Sequence, residues 1–322
     1  MNTPLRKPWM VAVWPGMGGV AHIAGSYLVR VLDAKAVDDI DVKGFFDVQT
    51  IAIKSGLAQP VESPRHVLYG YQDPAGVRDL LILLGDRQPN QESARYTQTL
   101  LDVALRHGVE RVVTFAAMAT PIQPTAAPRV FGVATRVDLL SELVDAGVSL
   151  LDEGEVTGLN GVFIAAAAAR GIPGSCLLGE FPFFAAGVPN PKASVAVLRS
   201  FSTLSGIPFD LGELEAEAER IERSLSQHME GLRRAAEASG QTPELASEPE
   251  PDAAERAASP PPSPPVSRKR RTSPEVLEQI ERLFAACRED RSKATTLKSE
   301  LDRFGLFKDY EDRFLDLFKQ AN

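Results

Sequence analysis

The chain has 322 residues, 44% of them hydrophobic and 24% charged, the balance of a soluble globular protein with room for one large domain or two smaller ones. A formal net charge of −8 speaks against general nucleic-acid binding, which needs a basic face to neutralise phosphates. No stretch reaches the roughly 18 uninterrupted apolar residues of a membrane-spanning helix, and the two cysteines, Cys176 and Cys287, form neither a disulfide framework nor a zinc set and suit a reducing cytoplasm.

Arg6 and Lys7 precede a short apolar run, but Pro15 and Gly16 stop it, so Met10 to Trp14 reads as a strand and not as a signal peptide. Val20 to Leu32 has Ile23, Tyr27, Leu28 and Val31 at helical spacing. Val48 to Ile53, His66 to Gly70 and Leu80 to Leu84 are further predicted strands. Ser93 to His107 is a helix stopped by Gly108, and Val112 to Ala117 is apolar enough for a strand covered on both faces. Arg129 to Val133 is predicted as a strand and Asp138 to Asp145 as a helix. An alanine-rich helix starts near Asn160, a strand surrounds Leu177, and a helix runs from Pro191 to Leu204. Strands alternating with helices of this length imply a largely parallel sheet with helices on both faces and a mixed edge.

Leu211 to about Leu232 is a charged helix with Leu214, Ala218, Ile221 and Leu225 on one face. The composition then changes. Glu248-Pro249-Glu250-Pro251 and Ser259-Pro260-Pro261-Pro262-Ser263-Pro264-Pro265 lack apolar area to bury, so residues 235–272 read as a disordered linker between an α/β domain at 1–234 and a helical tail at 273–322. Ser273-Pro274-Glu275 is a helix start, followed by a stripe of Leu277, Ile280, Leu283, Phe284 and Cys287. A second helix is expected from Ser292 to Phe304, and a third beyond Gly305. Leu306, Phe307, Phe314, Leu317 and Phe318 are candidate partner contacts; they fit equally the tail's own small core.

The chemistry-bearing patterns are few. Gly16-Met17-Gly18-Gly19 lies between a strand and a helix, where backbone N–H groups can cradle phosphate, so Gly16, Gly18 and Gly19 are the cofactor-binding candidates. Ala21 and His22 stand where a dinucleotide fingerprint would have its third glycine, and there is no P-loop lysine. A tight turn explains the glycines, and no cofactor is assigned. His22 and Ser26 share a helix face without a nucleophile elbow around the serine. Asp152, Glu153 and Glu155 read as a solvated turn, and Arg268-Lys269-Arg270-Arg271 as a solvated part of the linker. Asp86-Arg87-Gln88-Pro89 follows a strand at the end where open α/β sheets hold ligands. No catalytic or metal-binding set emerges.

Several short pieces in order identify a likeness. Pro15-Gly16-Met17-Gly18-Gly19, Phe45-Phe46-Asp47, Gly85-Asp86-Arg87-Gln88-Pro89, Arg129-Val130-Phe131-Gly132-Val133-Ala134-Thr135, Gly158-Leu159-Asn160-Gly161 and Pro189-Asn190-Pro191 make the chain from Met10 to Leu225 resemble the proteasome-assembly-chaperone-like family. Prokaryotic members are often labelled predicted ATP-grasp carboligases. The resemblance implies a three-layer α/β/α domain of the phosphorylase/hydrolase-like type with a mixed sheet, and self-association. It also implies protein partners, among them proteasome subunits. Some relatives dock through a C-terminal hydrophobic–tyrosine–any-residue motif; Gln320-Ala321-Asn322 lacks it, so docking here would fall to the tail helices. The sequence expectation is therefore a non-enzymatic, cytoplasmic, homo-oligomeric protein-binding chain without nucleic-acid or membrane partners. The alternative is an ATP-dependent carboxylate–amine ligase or a small-molecule hydrolase using a pocket near Gly16 to Gly19.

Overall fold

In the computed structural model, residues 5–47, 51–59 and 64–238 are described, together with Ile280, residues 282–284, Cys287, Leu297, Leu301 and Tyr310. The first half of the chain runs β1 (Trp9–Val13), α1 (Val20–Val31), β2 (Lys35–Asp39), β3 (Ala52–Lys54), β4 (Leu57–Gln59), β5 (His66–Tyr71), β6 (Leu80–Gly85) and α2 (Ser93–Arg106). The second runs β7 (Arg111–Thr120), β8 (Val130–Ala134), α3 (Leu140–Asp145), β9 (Ser149–Leu150), α4 (Gly158–Ala169), β10 (Gly174–Pro182), α5 (Pro191–Ser205) and α6 (Gly212–Ala238).

Eight strands form one sheet in the order β2-β5-β6-β1-β7-β10-β8-β9. The centre, β6-β1-β7-β10, is parallel, with Trp9 opposite both Leu80 and Arg111 and with Cys176 opposite Thr114. Antiparallel β5 and β8 flank it. The continuous apolar runs are explained by burial on both faces: all five residues of β1 and all nine of β10 are buried. Alternation within β1 sorts its side chains into two cores. Trp9, Val11 and Val13 pack with α1, α5 and α6, including Leu28, Val197, Phe201 and Leu214. Met10, Ala12 and Trp14 pack with α2 and α4, including Tyr96, Leu100 and Phe163. This is the expected α/β/α layering.

Three differences from the sequence reading have physical reasons. Strand β2 is missing from the predictions because Lys35, Asp38 and Asp39 give it no apolar face; it is an exposed edge strand, where such charges are tolerated. The strand expected from Val48 to Ile53 is reduced, within the described residues, to β3. Among the described residues, that strand pairs with β4 alone, in a separate hairpin turned by Ser55 and Gly56 at positive φ. The charged helix after Leu211 continues to Ala238, past the Leu232 expected from its stripe. Its Leu214 and Ala218 are buried, and Lys192 and Arg199 of α5 pair with its Glu222 and Glu215 at 2.7 Å each.

Contacts divide the chain into units Met1–Pro261 and Pro262–Asn322. Within the second, Ile280, Phe284, Cys287, Leu297 and Leu301 bury one another, and the Phe284 ring lies 5.7 Å from that of Tyr310. The expected stripe thus contributes Ile280, Phe284 and Cys287 to a small core. Leu306, Phe307, Phe314, Leu317 and Phe318 lie outside the described residues, as do residues 239–272.

Candidate functional site

Because β1, β6, β7 and β10 are parallel, the segments that follow them meet at one edge of the sheet, together with the first turns of α1, α2, α4 and α5. Helix N-termini gathered there would suit an anion, and open α/β sheets hold ligands at this edge. The sequence motifs converge on it. What they build is a set of mutual latches.

The glycine turn after β1 is fixed from the β10–α5 connection. Gly18, at φ 59°, donates its N–H to Ala186 O at 2.9 Å, and its carbonyl accepts from Asn190 N–H at 2.7 Å. A Cβ at Gly18 would stand 3.2 Å from Asn190 Cβ, so close approach and left-handed backbone both favour glycine. Gly19 N–H is bound to Gly16 O at 3.0 Å. Of the three cofactor candidates, Gly18 and Gly19 therefore already have carbonyl partners for their N–H groups, while Gly16 is extended at φ −159°. Asn190 also caps α5, accepting from Ala193 N–H at 3.1 Å, with Pro191 at the first helical position.

Gln88 closes the second latch. Its Nε2 donates to Pro15 O at 2.7 Å, and its Oε1 accepts from Leu159 N–H at 3.0 Å. Thr157 makes no side-chain cap on α4, so a side chain 71 residues away satisfies a first-turn N–H of that helix. At the next residue, Asn160 Oδ1 accepts from Trp14 N–H at 3.4 Å, and its carbonyl accepts from Thr114 Oγ1 at 3.0 Å. The buried Trp14 indole fills the space beneath. It packs 5.6 Å from Phe163 and donates Nε1–H to Tyr96 Oη at 2.8 Å. Burial raises the Tyr96 phenol well above its ordinary range. Gly85 gives this indole room, because a Cβ there would lie 2.4 Å from Trp14 Cδ1 and 2.7 Å from His66 Cδ2.

Two histidines border the same edge. His66 is fully buried and His22 half-buried; burial lowers both from 6.5, His66 to about 4, against an opposing pull from Asp86. Asp86 itself is exposed, and its Oδ2 accepts Arg65 N–H at 3.0 Å. The Nδ1 of His22 has no hydrogen-bond partner. Asp152, Glu153 and Glu155 are exposed, as a solvated turn requires. Among the described residues, no group of three or more His, Cys, Asp or Glu side chains could hold a metal ion. The thiol of Cys176 is pushed up to about 12 by burial in β10. No helix among the described residues is long and apolar enough to cross a membrane.

A small cleft lies beside this edge, between residues 122–128, the start of α5 and the middle of α6. Its volume is about 20 Å³, room for about one water. Glu180, Lys192 and Glu222 line it, and each is paired. Glu180 accepts from Arg129 N–H, Nε and Nη2 at 3.0, 3.0 and 2.7 Å, and from Thr120 Oγ1 at 2.8 Å. The Arg129 hydrogen bonds hold its carboxyl down to about 2 despite burial. Lys192 Nζ donates to Pro124 O at 2.8 Å and pairs with Glu222. The sequence pointed to Asp86 and to the glycine turn. It placed Gln88 in the Asp86 to Pro89 segment at this edge but gave no partner to it, to Trp14 or to Glu180, because those partners lie 51 or more residues away.

The profile of the PAC2 family matches residues 10–229. The chain belongs to the PAC2 family. It is 24% identical over 223 residues to an uncharacterised protein of Methanocaldococcus jannaschii, covering 68% of this chain and 82% of that one. The structure of a proteasome-assembly chaperone homologue of Mycobacterium tuberculosis is similar with a TM-score of 0.58 and 26% identity, covering 68% of this chain and 94% of the other. PbaB of Pyrococcus furiosus, an archaeal proteasome activator, is similar with a TM-score of 0.60 and 23% identity, covering 71% and 96%. The PAC2 match spans every latch described above, from the glycine turn to the start of α5.

Proposed function

We propose that this PAC2 protein is a non-enzymatic, cytoplasmic assembly-chaperone-like protein that binds other polypeptides, proteasome subunits first among them. In this reading the α/β domain carries homo-oligomerisation, and residues 273–322 add apolar contacts through Leu306, Phe307, Phe314, Leu317 and Phe318. The observation that carries it is the use made of the sheet's carboxyl edge. The N–H groups of Gly18 and Gly19, and the Gln88 and Asn190 side chains, are spent on internal latches, and Trp14 fills the space beneath them. An edge used in this way stiffens a scaffold for surface burial. The names of the structural relatives, a proteasome activator and a proteasome-assembly chaperone homologue, support the same partner class.

The second reading, an ATP-dependent ligase or small-molecule hydrolase, draws on Glu180, Lys192 and Glu222 around one cleft. Their ion pairs and the cleft volume favour a structural role instead. The test is affinity purification of the full chain and of a chain ending at residue 272 from the native host, quantified by mass spectrometry. Proteasome subunits enriched with the full chain and reduced with the shortened one support the proposal. Equal recovery with both removes the tail from it, and no enrichment of proteasome subunits with either overturns the partner class.

A further inference from the structure

His66 stands out among the buried polar groups because both of its ring nitrogens lack a hydrogen bond, although its exposure is 0%. A neutral imidazole has one donor and one acceptor to satisfy, and leaving both unmet at a buried position is costly. Residues 40–47 lie over it as a strap. Ile40 N–H bonds to His66 O at 2.8 Å at one end, and Asp47 is tied at the other by N–H to Asn90 Oδ1 and by Oδ1 to Gln91 Nε2, both at 3.0 Å. Between these ties the strap is held by ring contacts. Phe46 lies 5.6 Å from His66, and Phe45 lies 5.3 Å from Tyr96 with Arg95 above it at 5.6 Å.

The surroundings of His66 offer a proton no good home. From α2 it meets the Tyr96 ring at 5.5 Å, and from the strap the Phe46 ring. Trp14, the residue after β1, shares with it the space left by Gly85. At the end of β6, the exposed Asp86 and the Arg87 backbone favour the charged form, and burial outweighs both. Arg65, next in the chain, is committed to Asp39 of β2 at 2.9 Å. A charged imidazole has two donors to satisfy and gains most by reaching water.

We propose that residues 40–47 are a pH-operated strap: a proton taken up by His66 releases Phe45 and Phe46 from the mouth of the sheet and bares the Trp14–Tyr96 surface. The contribution of His66 to closure is fully present above 6.5, the ordinary value for histidine, and is lost as pH falls towards the value of about 4 to which burial lowers His66 in the closed form. Between pH 7 and pH 5 the opening equilibrium rises roughly twentyfold for one proton bound between those two values.

The experiment is hydrogen exchange by NMR on the full chain, following the protection factor of the Ile40 amide from pH 7 to pH 5, with amides of β7 as the global reference. The expected result is a loss of roughly twentyfold at Ile40 with β7 unchanged, and a flat profile in His66→Phe. The wild-type His66 ring resonances, read in the same samples, keep the test decisive if that variant does not fold. Ile40 protection independent of pH overturns the strap. So does equal loss at Ile40 and β7, or a His66 ring that titrates near 6.5 while Ile40 stays protected.

Discussion

Replacing Gln88 by alanine removes both halves of one latch. It leaves the Pro15 carbonyl and the Leu159 N–H without their partners at 2.7 and 3.0 Å, in a part-buried setting. Each net hydrogen bond contributes about 1 kcal/mol and an unmet partly buried group adds to that, so Gln88→Ala should cost about 2–3 kcal/mol. For a folded unit of this size each kcal/mol moves the melting temperature by about 2–4 °C, which gives a drop of about 5–10 °C. Gln88→Glu keeps an acceptor for Leu159 N–H, and places negative charge at the start of α4, but loses the donor to Pro15. It should fall between wild type and alanine. Urea unfolding monitored by circular dichroism reads both variants. A loss below about 0.5 kcal/mol for Gln88→Ala, the level of an ordinary surface change, would refute the latch.

Three further expectations rest on the same geometry. Asn190→Ala removes the α5 cap and should cost about 1 kcal/mol in the same unfolding assay, with the first turn of α5 losing amide protection. Gly85→Ala drives a Cβ to 2.4 Å from Trp14 Cδ1; about 1–3 kcal/mol of overpacking and a shifted Trp14 fluorescence spectrum should follow. Glu180, held at about 2 against an ordinary 4.5 by its Arg129 hydrogen bonds, contributes stability that is fully present above 4.5 and is lost as pH falls towards 2. The difference in melting temperature between wild type and Glu180→Gln should therefore shrink across that window.

Much of the fold was legible because burial on both faces leaves an apolar signature. Val112 to Ala117 and the run around Leu177 stand out as covered strands; they are β7 and β10, which the structure pairs in parallel. The alternation Trp9/Val11/Val13 against Met10/Ala12/Trp14 sorts the two cores directly. Strand β2 was illegible for the converse reason: an edge strand needs no apolar face, and only its pairing with β5 makes it a strand. The candidate site was half legible. Gly18 and Asn190 announce a turn and a helix cap by residue type alone. Gln88 does not, because a glutamine becomes a cap only when folding brings Leu159 to it. The burial of His66 has the same origin. A strand histidine carries no mark of the strap that covers it until Phe46 is folded across.

The central claim is that this edge is latched so that the scaffold can grip other polypeptides. Mixing the purified full chain with purified proteasome α subunits from the same host, and weighing the products by native mass spectrometry, tests it most directly. The expected products are complexes containing both chains, with a yield of assembled α subunits that falls when Gln88→Ala replaces the wild type. A spectrum holding only the separate components, from a protein that instead turns over ATP with a carboxylate and an amine, would contradict it.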